Sequence, residues 1–478
     1  MMSKETYVGG DIIETTGGNN LSYAKDVIEN IGLQVIQDGK TNGVFYGINK
    51  DAPIISTNIN LKKFLVHFRR PKNYDGKYGF DWLREEYIYP MVTVTNDNNG
   101  NPINAPTALC KNTTALKQEY LNGVVNNIKP YTINYYPAWL AIFPHTTTSQ
   151  FPHGSDMHEN GVNLDLQIDE IDQIISDGTE ILFESQNQYL KISPKKIAIS
   201  DVISSNRKSR NVNGRNINYY KLERKVNIKC TGGVLNKHEE IKVFAKLDQE
   251  KVEVGKLMVY KNNVIPKAEI VVVNVLTGGN KAQLKDDYQY LFKRQSFNQA
   301  LIRAEVKVDT EFDLNKLNTN PDINNFLISV NGYSAKKKLS EIIRLYELYG
   351  KYTVPGGINS NNTHRTYLFF TSLSSGGTRG ICSLNQNNVW GNSYLVFNIG
   401  LQNPRTIIHE CGHSFSLPHT FEQAGNPRHV FYQGYTDAYM DYDWRQGGSP
   451  NPYSSKMYSI FKWQWEIMRN DRSLIFNY

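Results

Sequence analysis

Up to about residue 280 the chain is written in short runs where apolar and polar residues alternate, broken by pairs of glycine and asparagine. Beyond that point apolar residues recur every three or four positions over longer stretches. Alternation sends successive side chains to opposite faces of an extended chain, so the first texture predicts half-buried strands and the second predicts helices mixed with strands. Residues 1–55 hold brief strand-like runs at 11–14, 21–24 and 33–36, separated by Gly9-Gly10, Gly17-Gly18 and Asp38-Gly39, the pattern of a small β-rich docking arm. Residues 56–160 read as a β-rich aromatic domain, with FLVHFRR at 64–70, YGFDWLR at 78–84 and YYPAWLAIF at 135–143. Residues 161–280 read as an antiparallel β-sandwich, with strands at 163–168, 180–183, 226–229, 241–244 and 269–273 and turns at Asp177-Gly178, Gly232-Gly233 and Asn262-Asn263.

The block 281–478 predicts a mixed α+β unit. Helices are expected over 291–303 and over 336–349, the second through Leu339, Ile342, Ile343, Tyr346 and Leu348, with strands at 304–308, 367–370 and 394–397. The tail at 456–468 predicts a closing helix that packs Phe461, Trp465 and Met468. Between them lies NPRTIIHECGHSFSLPHT at 403–420. Asn403 can cap a helix start, Pro404 suits the first helical position, and Ile407, Ile408, Cys411 and Phe415 supply an apolar stripe that Pro418 brings to an end.

His409 and His413 are four residues apart, so on that helix they project from one face, one turn apart, and can share a metal ion. Glu410 sits beside them, and His419, just past the helix, can swing back as a third ligand. Three protein ligands with one position left to water is the count of a catalytic zinc site rather than a closed structural one. Zinc held this way lowers the pKa of its water to about 7, and a nearby carboxylate, here Glu410, can take the proton.

These residues resemble the metzincin clan of zinc peptidases, whose pattern H-E-x-x-H-x-x-G-x-x-H is matched at His409, Glu410, His413 and His419. Ser416 departs from it, standing where the family has a glycine that turns the backbone with positive φ. The resemblance implies that DAYMDY at 437–442 is the Met-turn, with Met440 as the floor beneath the metal. It also implies that Tyr442 occupies the place of a tyrosine that approaches the zinc and steadies the oxyanion. A strand before the metal helix is expected to edge the cleft and hold an extended peptide by strand addition.

Composition narrows the remaining classes. A length of 478 residues predicts about three domains, and 40% hydrophobic residues suffice for packed interiors. A net charge of +7 spread along the chain does not call for nucleic acid. Its one local cluster, Arg207, Lys208, Arg210 and Arg215, is read as a solvated loop. Cys110, Cys230, Cys382 and Cys411 are scattered without CxxC spacing, so no disulfide framework is expected. His153, Asp156 and His158 could be drawn as ligands but lack helical context and are read as a polar loop. The Gly-rich stretch at 374–380 is read as a loop near the cleft edge. No stretch reaches the roughly 18 apolar residues of a membrane span, and the N-terminus carries no apolar segment of signal-peptide length.

The front of the chain carries a second resemblance. GGDIIE at 9–14, VHFRRP at 66–71 and YGFDWLR at 78–84 are similar to N-terminal modules in cargo proteins of contractile (type VI) secretion systems of Bacteroidetes. That likeness implies a protein made in the cytoplasm and injected without a cleavable signal, with spike or needle proteins and a cognate immunity protein as partners. The expected function is a toxin acting as a zinc metalloendopeptidase on a peptide or protein substrate. The alternatives are a non-catalytic structural or adhesive component of the apparatus on a zincin scaffold, and a zinc amidase acting on cell-wall peptides.

Overall fold

Along the short strand Ala138–Ala141 the two-residue period divides the interior into two cores. Ala138 and Leu140 face one with Leu164, Ile181 and Val243, while Trp139 and Ala141 face another with Met258, Phe461 and Trp465. The computed structural model describes residues 60–146, 158–278, 281–358, 360, 363–384, 390–422 and 428–477, and the docking arm expected over 1–55 lies outside them. The chain divides into two units, residues 1–60 and 61–478, and the second holds every sheet among the described residues.

The architecture is multi-sheet and β-rich with few helices. One sheet runs Phe64–Arg69, Val162–Glu170, Arg215–Thr231, Lys208–Val212, and the short strands Pro144–His145 and Leu190–Ser193 also pair with the long third strand. A second runs Lys196–Ala198, Glu180–Glu184, Glu239–Leu247, Glu250–Val259, Ala138–Ala141, Gly79–Asp81. Their facing residues, among them Phe68, Leu166, Phe183 and Val254, make the core between the two layers.

The expected boundary at 160 falls inside this pair of sheets. Phe64–Arg69 pairs antiparallel with Val162–Glu170, and Ala138–Ala141 pairs parallel with Glu250–Val259, so 61–160 and 161–260 interleave. The boundary at 280 is likewise crossed. Lys267–Val275 leaves the sandwich and becomes an interior strand of a third sheet, ordered Arg303–Asp309, Lys267–Val275, Thr366–Thr371, Trp390–Val396, Gly380–Leu384. The neighbours along that order are parallel except Gly380–Leu384, which runs antiparallel at its end, and the short strand Leu474–Ile475 also pairs antiparallel with the start of Lys267–Val275.

This third sheet is buried on both faces, as parallel sheets are. Val271, Val273, Tyr367 and Phe369 pack against the helix Ala335–Tyr349, while Ile270, Val272, Leu368 and Tyr394 pack towards the helix Pro404–Ser414. Other expectations shift locally. The helix expected over 291–303 is shorter, Tyr288–Arg294 followed by a helical turn at Phe297–Ala300, and Leu301 takes a left-handed φ of +55° that ends it. Leu348, placed on the apolar face of its helix, is 60% exposed. The closing helix begins at Lys462, and Phe461, Trp465 and Met468 are buried as expected. The basic cluster at 207–215 is a hairpin rather than a loop, turning through Asn213 and Gly214, both at positive φ. Arg210 in it is ion-paired to Asp169 and Glu85. No disulfide links the four cysteines, and no described helix is long and apolar enough to cross a membrane.

Candidate metal centre

The helix at the centre starts as its sequence predicts. The Asn403 side chain accepts from the backbone N–H groups of Arg405 and Thr406 at 3.0 and 3.3 Å, and Pro404 takes the first helical position. Ile407, Ile408, Cys411 and Phe415 are buried in the core that the third sheet shares with Phe297 and Met440, and Phe415 packs edge-on to Phe297. The helix stops at Ser414, four residues before Pro418, because Ser416 takes a left-handed φ of +64°. The chain therefore adopts the turn for which a glycine was expected, and its hydroxyl donates to Asp471 Oδ2 at 2.5 Å, which compensates for the missing glycine. Leu417 N–H then returns to Gly412 O at 3.0 Å, and the reversal brings His419 back over the helix.

His409 Nε2 and His413 Nε2 each lie 3.0 Å from His419 Nε2. His409, His413 and His419 are the group of potential metal ligands found among the described residues. Their far nitrogens settle the protonation. His409 Nδ1 is 2.8 Å from Tyr439 O and His413 Nδ1 is 2.7 Å from Leu417 O, and a carbonyl can only accept, so each Nδ1 carries its proton and each Nε2 presents a lone pair. His419 Nε2 can donate to one of these at most, and the others confront lone pair to lone pair. A shared cation removes that repulsion, and nitrogens about 2 Å from one zinc ion in a tetrahedron lie roughly 3.3 Å apart, close to the spacing seen. Burial lowers the pKa of all three imidazoles, to about 2 for His419, so the neutral, ligating form is favoured. The Glu422 carboxylate lies 2.8 Å from His419 Nδ1 but off its hydrogen-bonding direction. The residues present could hold a metal ion.

Glu410 is partly buried, and burial pushes its carboxyl up to about 8. It lies against the edge strand, where a Cβ on Gly380 would come 2.6 Å from its Cγ and 3.0 Å from its Oε1. Gly380 thus shapes the space of the carboxylate, a role its place at the end of a Gly-rich loop did not announce. Met440 is buried beneath the helix, so close that a Cβ on Gly412 would lie 2.4 Å from its sulfur, and its carbonyl accepts from Thr420 N–H at 3.0 Å. The Tyr442 ring stands 5.7 Å from that of His409 and 5.0 Å from that of His419, and burial raises its hydroxyl to about 12. The structure therefore brings together His409, Glu410, His413, His419, Met440 and Tyr442.

The turn at 437–442 is held from within and from afar. Asp441 accepts from Gly434 N–H, Thr436 N–H, Thr436 Oγ1 and Tyr442 N–H at 2.7–2.8 Å, though burial still raises its carboxyl to about 6. Asp437 receives Arg84 Nη2 at 2.9 and 3.0 Å, Ser459 Oγ at 2.7 Å and a close ion pair from Arg70. Burial opposes its charge, but the two arginines prevail and hold the carboxyl at about 2. Two residues after Asp437, Tyr439 supplies the carbonyl that orients His409. Arg70 and Arg84 come from VHFRRP and YGFDWLR, so the motifs likened to modules of secretion-system cargo reach the turn at 437–442. The signal that could have found them is the placing of arginines inside aromatic, strand-forming runs. His158 is not a ligand: its Nδ1 accepts from Phe143 N–H at 2.7 Å and its Nε2 is 3.1 Å from Lys77 O, while His153 and Asp156 lie outside the described residues.

No family model matches the chain, and no curated protein matches it.

Proposed function

We propose that this protein is a zinc metalloendopeptidase with a metzincin-like catalytic unit. The observation that carries the reading is the convergence of three imidazole Nε2 atoms, two of them fixed as lone-pair donors by backbone carbonyls, beside a partly buried carboxylate on the same helix. His409, His413 and His419 would hold the zinc, which supplies Lewis acidity and an acidified water when bound. Glu410 takes a proton from the attacking water and returns it to the leaving amine, and its elevated pKa suits a group that must do both near neutral pH. The strand Gly380–Leu384 lies at the end of the third sheet's strand order and next to Glu410, the place where strand addition would seat an extended peptide. Tyr442, packed on two of the ligands, is the residue assigned to steadying the oxyanion.

Delivery by a contractile injector, as a toxin, is proposed from the resemblance of the front motifs. Since Arg70 and Arg84 are engaged inside the body, docking onto spike or needle proteins falls to other residues. The test combines metal analysis with turnover. Purified protein is expected to carry about one zinc and to degrade casein, chelation is expected to stop it, and Glu410→Gln is expected to keep the zinc while losing at least ~100-fold in turnover. Full activity in Glu410→Gln removes the assigned base. Absence of zinc together with toxicity that survives chelation favours the scaffold reading, and release of peptides from peptidoglycan fragments but not from casein favours the amidase.

A further inference from the structure

Two arginines stand near the start of the helix that carries His409 and His413. Arg405 lies one turn before His409 and so shares its face. Arg379 immediately precedes Gly380, whose backbone abuts Glu410. Both reach the same atom: Arg379 Nη1 is 2.8 Å and Arg405 Nη2 is 3.2 Å from Asp443 Oδ2, and Asp443 follows Tyr442, whose ring packs on His409. The ion pairs thus join the start of the strand Gly380–Leu384, the helix Pro404–Ser414 and the residue after the turn at 437–442.

The charges do not balance. Among the described residues Asp443 is the one acid that pairs with either arginine, so two guanidiniums share a single carboxylate and a net positive charge remains. A guanidinium has five N–H donors arranged to bind a carboxylate through two parallel bonds. Arg379 is about half exposed, with its side chain at 49%, so donors remain open to solvent. A peptide laid along Gly380–Leu384 by strand addition would have one end beside Arg379, the residue next to that strand.

We propose that Arg379 and Arg405 form a specificity subsite for an acidic residue of the peptide substrate, whose carboxylate completes a two-arginine, two-carboxylate cluster beside the cleaved bond. The inference rests on the peptidase reading and narrows its substrate to acidic peptides. Trp444, exposed and stacked on Tyr442 at 5.4 Å between ring centres, supplies an apolar wall on the same side of Asp443.

The experiment walks a single glutamate, or a glutamine of equal size, through a blocked neutral peptide. Binding to full-length Glu410→Gln protein is measured by calorimetry, and kcat/KM is measured on the wild type. At one position glutamate is expected to bind and react at least about tenfold better than glutamine, more so at low salt. Arg379→Gln is expected to bring that ratio to about one with an unchanged thermal midpoint, and Arg379→Glu to favour lysine at the same position. Equal binding of the glutamate and glutamine peptides at every position overturns the subsite. A glutamate preference in calorimetry without hydrolysis of any peptide by zinc-bearing wild type leaves the subsite standing and overturns the peptidase reading.

Discussion

Ser416 holds a left-handed backbone without being glycine, and the hydrogen bond from its hydroxyl to Asp471 is what makes that tolerable. Removing the hydroxyl while keeping a Cβ leaves the strain and loses a bond to a charged group, so Ser416→Ala is expected to lower stability by about 2 kcal/mol. Ser416→Gly loses the same bond but relieves the strain, and should fall within about 1 kcal/mol of wild type. Urea midpoints of the two variants, with zinc affinity measured alongside, separate these effects. Gly380 makes the complementary case. A methyl there intrudes on the Glu410 side chain, so on the proposed peptidase reading Gly380→Ala is expected to reduce turnover at least ~10-fold while any zinc bound by His409, His413 and His419 is retained. Equal turnover of Gly380→Ala and wild type would show that the carboxylate does not work from this position.

At the scale of elements, the turn at 437–442 depends on Arg70 and Arg84 from the front of the chain. Asp437 has a folded pKa of about 2 against an ordinary 3.8, so its charged pairing stabilises the fold above pH 4, and that contribution disappears as pH falls through about 2. The amount is about 2 kcal/mol. Asp437→Asn is therefore expected to be less stable at pH 7 and to lose part of the wild type's acid sensitivity between pH 4 and 2, as read from urea unfolding at stepped pH. The helix Pro404–Ser414 is legible because cap, proline, apolar stripe and histidine spacing all act within one segment of chain. The strand Lys267–Val275 belongs to the third sheet rather than to the sandwich expected over 161–280, and its middle, EIVVV, carries the reason: it is continuously apolar rather than alternating, as in a strand covered on both faces. The hairpin at 207–215 does carry a local signal, since Asn213-Gly214 is a strong turn pair, but its polar, Asn-rich strands lack the apolar alternation that marks a strand. Arg84 to Asp437 could not be read, since they are 353 residues apart and no local pattern links them.

Over the whole body, the closing helix binds front to back. Asp81 accepts from Lys462 N–H at 2.9 Å, Lys462 Nζ donates to Glu119 Oε1 at 3.0 Å, and Trp139, Trp463 and Trp465 share one core. A fragment starting at 281 lacks an interior strand of the third sheet and both arginines that grip Asp437. It is expected not to unfold cooperatively in calorimetry, whereas residues 61–478 together should give a single transition. The two-arginine grip also bears on how such a protein can change over time. A C-terminal part exchanged behind residue 160 or 280 would arrive without the arginine partners of its own turn at 437–442, so the seam at which this chain can be cut and rejoined lies upstream of Leu61.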